Sequence, residues 1–114
     1  MPEAKLEEAR AMVNPVPVTP ESLKKGEEAY FGIGSCNVCH GEDGKGDGIG
    51  AYGLDPGPRN LTNPKWQEAR SDGEIMWVFR HGSRGTAMIT VVPGLISEDE
   101  AWNVINYIRS LKSR

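Results

Sequence analysis

Both cysteines of the chain and one of its two histidines fall within five residues, Cys36-Asn37-Val38-Cys39-His40. Two thiols and an imidazole at that spacing admit several chemistries: a disulfide or thiol redox pair, part of a zinc site, or the covalent attachment of haem. A disulfide between residues this close would constrain only a tiny loop and stabilise little. A thioredoxin-like pair belongs in a βαβ unit, and no stretch before Cys36 alternates like a strand. Structural zinc takes four ligands. The chain offers Cys36, Cys39, His40 and His81, with no second pair at ligand spacing and with His40 directly beside Cys39.

The pattern C-x-x-C-H is that of c-type haem attachment. Two intervening residues let one helical turn present both sulfurs to the two vinyl carbons on one porphyrin edge. The histidine that follows then offers its imidazole to the iron. A neighbouring motif, Asp43-Gly-Lys-Gly-Asp-Gly48, resembles the start of a calcium loop, but the third and twelfth positions that need oxygen ligands are Lys45 and Leu54. Its glycines instead suit backbone turning beside a haem edge.

The elements that must hold this motif are helical. Residues 3–12 read as a short polar helix, and 14–20 (NPVPVTP) as a stiff extended connector that cannot be helical. Thr19 and Pro20 are N-cap and first-turn signals for a helix whose apolar stripe is Leu23, Gly26, Tyr30 and Ile33. Gly26 costs about 1 kcal/mol there relative to alanine, which is explained if another helix crosses against bare backbone. Ser71 and Glu74 form a capping box for a second helix that Gly82 can end. Ser97 and Glu100 form another, and Ala101, Val104, Ile105, Ile108 and Leu111 share one apolar face, flanked by Trp102 and Tyr107. Lys112 and Arg114 lie at that helix's C-terminal end, where cations are favoured. Residues 41–64 are so rich in glycine and proline that they read as a long loop, a length that calls for a cofactor or function to wrap.

Composition bounds the rest. A chain of 114 residues is one domain, and 38% hydrophobic content is lean for a core unless a large cofactor helps fill it. The net charge is −3, with 13 basic and 16 acidic residues mixed along the chain, which excludes a basic nucleic-acid surface. No apolar run approaches a membrane span, and MPEAKLEEAR holds no hydrophobic signal region.

The chain resembles a class I c-type cytochrome of the short bacterial kind. The residues that carry the resemblance are CNVCH at 36–40, Gly26 and Tyr30 before it, PRNLT at 58–62, GTAM at 85–88 and AWNVINYIRSL at 101–111. It covers residues 20–112. Residues 1–19 match no part of the family pattern and read as an N-terminal extension with a proline-rich connector, leaving 20–114 as the cytochrome c domain. The resemblance implies an all-α fold in which the N- and C-terminal helices cross and a third helix and long loops wrap one covalently bound haem. Gly26 and Tyr30 would meet Trp102 and Tyr107 at the crossing.

The same resemblance implies a ligand set. Cys36 and Cys39 would carry the two thioethers and His40 the proximal iron bond. Met12, Met76, Met88 and His81 are the candidates for the opposite face, and Met88 matches the family's ligand loop, although Ile89 stands where proline often follows. A thioether opposite imidazole raises the reduction potential and closes the iron to small molecules. Met76, within a helix, suits core packing. His40 would donate its other ring N–H to a loop proline carbonyl, that of Pro58 or else Pro56. Arg59 and Asn60 are candidates for a haem propionate. Trp66, Trp77 and Tyr52 are candidates for propionate or pocket contacts.

The function implied is a carrier that moves one electron between redox protein partners. The alternatives are a haem c domain or subunit of a larger respiratory redox complex, tethered through the extension, and an open-site haem enzyme or gas sensor. Family chemistry attaches haem outside the bacterial cytoplasmic membrane, so the periplasm is the implied location.

Overall fold

The computed structural model describes residues 3–112 apart from 56, 84, 85, 87 and 89; Pro56, Ile89 and Arg114, named above, lie outside the described residues. The described residues form six α-helices, one 3₁₀ turn and no strand: α1 (Glu3–Ala11), α2 (Pro20–Phe31), α3 (Cys36–His40), the turn Ile49–Ala51, α4 (Pro64–Ala69), α5 (Asp72–His81) and α6 (Glu98–Ser110).

Local chemistry sets the helix starts. Thr19 accepts from the Ser22 N–H and Pro20 opens α2 with its ring already at helical φ. Ser71 and Glu74 exchange both capping-box hydrogen bonds at the head of α5, and Ser97 and Glu100 do the same for α6. Gly82 ends α5 with a positive φ of 75°, but its ψ of −173° is extended and not the left-handed helical cap that the sequence suggests. Lys112 reaches Glu68 of α4 at 3.2 Å.

Helices α2, α5 and α6 carry the core. Ala101, Val104, Ile105 and Ile108 of α6 and Leu111 at its C-cap are all buried, packed with Tyr30, Met76, Phe79, Val91, Val92 and Ile96. Each such large side chain contributes about 1.5–3 kcal/mol by leaving water. Met76 is completely buried, the packing role expected for a mid-helix thioether.

The crossing of α2 and α6 rests on Gly26. A Cβ there would collide with the backbone carbonyl of Asn103 and come within 2.9 Å of the Tyr107 Cβ. The partner residue is thus Asn103, not the expected Trp102. Positions 103 and 107 stack one above the other on a helix face, whereas 102 is turned about 100° away; Trp102 is buried in the core instead. Tyr30 and Tyr107 meet with ring centroids 5.3 Å apart. The expected α2 stripe also ends early. Gly32 terminates the helix, the Gly34 N–H turns back to the Ala29 carbonyl, and Ile33 lies outside the helix, 59% exposed.

Two further departures from the sequence reading matter for the site. A helix that the sequence reading did not call, α4, follows directly on the long loop, started by Asn63, whose side chain accepts from the N–H groups of Lys65 and Trp66, and by Pro64. Gln67 of α4 is buried and donates to the carbonyls of Leu61 and Ile108, each at 2.8 Å, which ties the loop to α6. The extension, expected as a stiff extended connector, is fastened to the body: Asn106 of α6 donates to the Val16 carbonyl and accepts from the Asn14 amide.

Candidate haem attachment site

α3 is a single turn, so Cys36 and Cys39 stand three residues apart on one helix and His40 closes it. Its C-terminal carbonyls are orphaned by geometry. The glycine loop that follows satisfies them: Gly41 donates to Asn37 O (2.9 Å), Gly46 to His40 O (2.8 Å) and Gly48 to Cys39 O (3.0 Å). The loop can do so because Gly41 and Gly46 adopt φ of 87° and 85°. Gly50, on the 3₁₀ turn, leaves room for a cysteine: a Cβ there would lie 3.2 Å from the Cys39 sulfur and closer still to Val38.

The loop is then pinned to the helix crossing. Tyr30, fully buried, donates its hydroxyl to the Gly41 carbonyl at 2.6 Å. Burial, joined by the nearby Cys36, pushes the Tyr30 phenol well above its ordinary range, so it remains a donor at any physiological pH. The Leu61 N–H closes on the Gly44 carbonyl at 2.6 Å. Hydrogen bonds thus tie the attachment turn to the helix crossing and to the segment at Leu61.

His40 is oriented from behind. Its Nδ1 lies 3.0 Å from the Arg59 carbonyl. The acceptor is thus one residue beyond the expected Pro58. The Pro58 carbonyl instead faces Gly46, where a Cβ would stand 2.6 Å from it. With Nδ1 donating, the other ring nitrogen, Nε2, is the one that carries a free lone pair. Burial lowers the His40 pKa and the Arg59 hydrogen bond opposes that shift, leaving a predominantly neutral imidazole suited to ligation.

No disulfide joins the two cysteines, and burial pushes the Cys36 thiol up to about 11, against a weaker lowering by a backbone hydrogen bond. A redox-active C-x-x-C cysteine needs the opposite, a depressed pKa that supplies thiolate. Among the described residues, no three His, Cys, Asp or Glu side chains converge as a metal-ion site would require. Thioether attachment to haem is the chemistry that uses both sulfurs and the neutral imidazole together. Val38 of α3, Ile49 of the 3₁₀ turn and Tyr52 just after it are exposed apolar or aromatic side chains.

The remaining candidates are placed as follows. Met88 is partly buried against the core; its N–H donates to Thr86 Oγ1 and its carbonyl accepts from the Ser83 N–H. Trp66 is half-buried against the same core, and Tyr52 is 96% exposed. Arg59 and Asn60 are exposed, with Asn60 Oδ1 committed to the Thr62 N–H and hydroxyl. Trp77 stacks on His81, centroids 4.4 Å apart. Met12 packs against the core from the extension. Sequence reasoning missed α4 and Gln67, although the Asn63-Pro64 dipeptide carried a helix-start signal.

The family model of cytochrome c matches residues 23–112. The chain belongs to the cytochrome c family. It is an all-helical haem c electron-transfer domain of the class I type, and the matched span includes the C-x-x-C-H run at 36–40. Among solved structures, this cytochrome c domain is similar to a chain of a reducing HAO-like protein complex from Kuenenia stuttgartiensis, with TM-score 0.74 and 30% identity. The match covers 87% of this chain and 47% of that one, so the domain spans about half the length of its structural relative. No helix among the described residues is long and apolar enough to cross a membrane.

Proposed function

We propose that this domain carries one electron between redox protein partners on a single haem c held by thioethers from Cys36 and Cys39. His40 Nε2 and the Met88 sulfur would be the two axial ligands. The observation that carries the reading is the His40–Arg59 hydrogen bond, which fixes a neutral ring beside two sulfurs on one turn. When bound, the haem iron supplies the reversible one-electron step.

This chain's own residues do the rest. The Arg59 carbonyl holds the imidazole's tautomer and raises its basicity. Tyr30 keeps the attachment loop against the α2–α6 crossing and would help hold His40 in place. Val38, Ile49 and Tyr52 would cover porphyrin surface, with Trp66 inside the pocket and Arg59 and Asn60 at the propionates. Pro58 would act by packing, its carbonyl being turned toward Gly46. The cytochrome domain proper would be residues 20–114, and the bacterial periplasm the place where haem is attached and used.

A second reading, that the domain is one part of a larger redox complex, is favoured by the half-length match to a chain of such an assembly. Co-purification in fixed stoichiometry with a second redox protein supports it over a free carrier. The ligand set is tested by absorption spectra of native protein and Met88→Ala in both redox states, with carbon monoxide added. Loss of the weak methionine–iron band and new carbon monoxide binding in Met88→Ala are expected. An unchanged spectrum, with His81→Ala altering it instead, refutes the assignment.

A further inference from the structure

The family match begins at residue 23, yet the domain's own α5 and α6 are shaped to receive what lies before it. Gly73 of α5 sits beneath the backbone of α1. A Cβ there would collide with the Ala9 carbonyl and come within 2.7 Å of the Met12 carbonyl. Ala9 in turn is completely buried. Glu74, next to Gly73 and only 2% exposed, pairs with Arg10 at 3.3 Å. Arg80, two turns further along α5, contacts the Met12 sulfur and also pairs with Glu98 of α6. Asn106, 2% exposed on α6, is spent on Asn14, Val16 and Ser22. A buried amide whose partners lie mainly in the extension is costly without it.

α5 also anchors the ligand loop. The Phe79 carbonyl accepts from the Val91 N–H at 2.7 Å and the Val92 N–H at 3.0 Å, which fixes the returning end of the loop. Ser83, just past the helix, closes on the Met88 carbonyl at 3.1 Å. The returning end of the Met88 loop therefore hangs from the last turn of α5, and the loop is closed on itself at Ser83, two residues past that helix.

We infer that residues 3–17 are a positioning strut: by docking on α5 they hold the helix end that suspends the Met88 loop, and so hold the methionine on the iron. The segment acts through α5: its long-range hydrogen bonds and ion pairs run to α5 and α6. The part of this inference that concerns the iron rests on Met88 being its ligand; the part that concerns the loop does not.

The test uses full-length haem-loaded protein with two substitutions on opposite sides of the contact. Ala9→Glu lies wholly in the extension and leaves the family domain intact; Gly73→Val blocks the same docking from α5. Lys5→Ala, on the exposed side of α1, is the control. Two quantities are read: hydrogen exchange at the Val91 and Val92 amides, and carbon monoxide binding to the ferrous protein. Both docking variants should speed exchange at these amides by roughly tenfold or more, as a released local unit does, and raise carbon monoxide binding in step, with Lys5→Ala matching wild type. If α1 loses protection while Val91 and Val92 keep theirs, the strut is refuted, whatever the axial ligand. If those amides loosen but carbon monoxide binding changes only in Met88→Ala, the coupling to iron is refuted. If Met88→Ala itself leaves the spectrum unchanged, the axial reading fails, and the exchange result alone decides whether the strut holds the loop.

Discussion

Replacing Gly26 with alanine separates two explanations of a glycine inside a helix. If Gly26 were a tolerated flaw, alanine would stabilise α2 by about 1 kcal/mol through backbone entropy. The structure predicts the opposite sign. A Cβ at this position would meet the Asn103 carbonyl carbon at 2.7 Å and the Tyr107 Cβ at 2.9 Å, where ordinary contacts begin at 3.4 Å. The nearest atoms are backbone, which cannot swing aside as a side-chain tip can. The helices must part, and the parting loosens Ala29 and Tyr30 against α6. Overpacking of this kind costs about 3 kcal/mol, the upper end of the common range. Subtracting the propensity gain leaves a net loss of about 2 kcal/mol, or a fall in Tm of about 8 °C at ~4 °C per kcal/mol. Guanidinium unfolding of the haem-loaded protein, followed by both far-UV circular dichroism and haem absorption, measures it. A Gly26→Ala protein as stable as wild type, or more so, refutes the close-crossing argument.

Other consequences can be measured in the same way. Burial alone would raise the Glu74 pKa, but the Ser71 N–H and the Arg70 and Arg10 guanidiniums outweigh it and hold the carboxyl below its usual range. Its stabilisation is therefore full above the unfolded-state value of about 4.3 and is lost as pH falls through the lower folded value. Glu74→Gln should be less stable at pH 7 and show a shallower acid limb in urea unfolding; parallel pH curves for the two proteins refute this. Gln67→Leu removes the donor to two buried carbonyls and should cost about 2 kcal/mol in equilibrium unfolding. Ser71→Ala removes one half of a formed capping box and should cost about 1 kcal/mol, with α5 amides the first to gain exchange.

Tyr30 shows how stability and function share one side chain. Its ring packs in the α2–α6 crossing and its hydroxyl holds the Gly41 carbonyl beside His40. Any change that parts the crossing therefore also frees the attachment loop. The consequence would be read at the haem as well as in the unfolding curve.

What short-range chemistry encodes was legible in the residues alone. The capping boxes at Ser71 and Ser97, the Thr19-Pro20 start and the 101–111 apolar face depend only on neighbours within a few positions. The C-x-x-C-H motif is local for the same reason, since one helical turn sets the spacing of its sulfurs. Contacts between distant segments were not legible. Which residue of α6 meets Gly26 depends on the rotation of one helix about the other, and that rotation chose Asn103 over Trp102. Which carbonyl meets His40 depends on the path of the 18 intervening residues, and a shift of one moved the acceptor from Pro58 to Arg59. The docking of residues 3–17 was hidden because its determinants, Gly73, Glu74 and Asn106, read locally as a helix-start residue, a cap and a polar interruption. Only packing brought them against the same strand of chain, where a missing Cβ, a buried charge and a buried amide each found its partner.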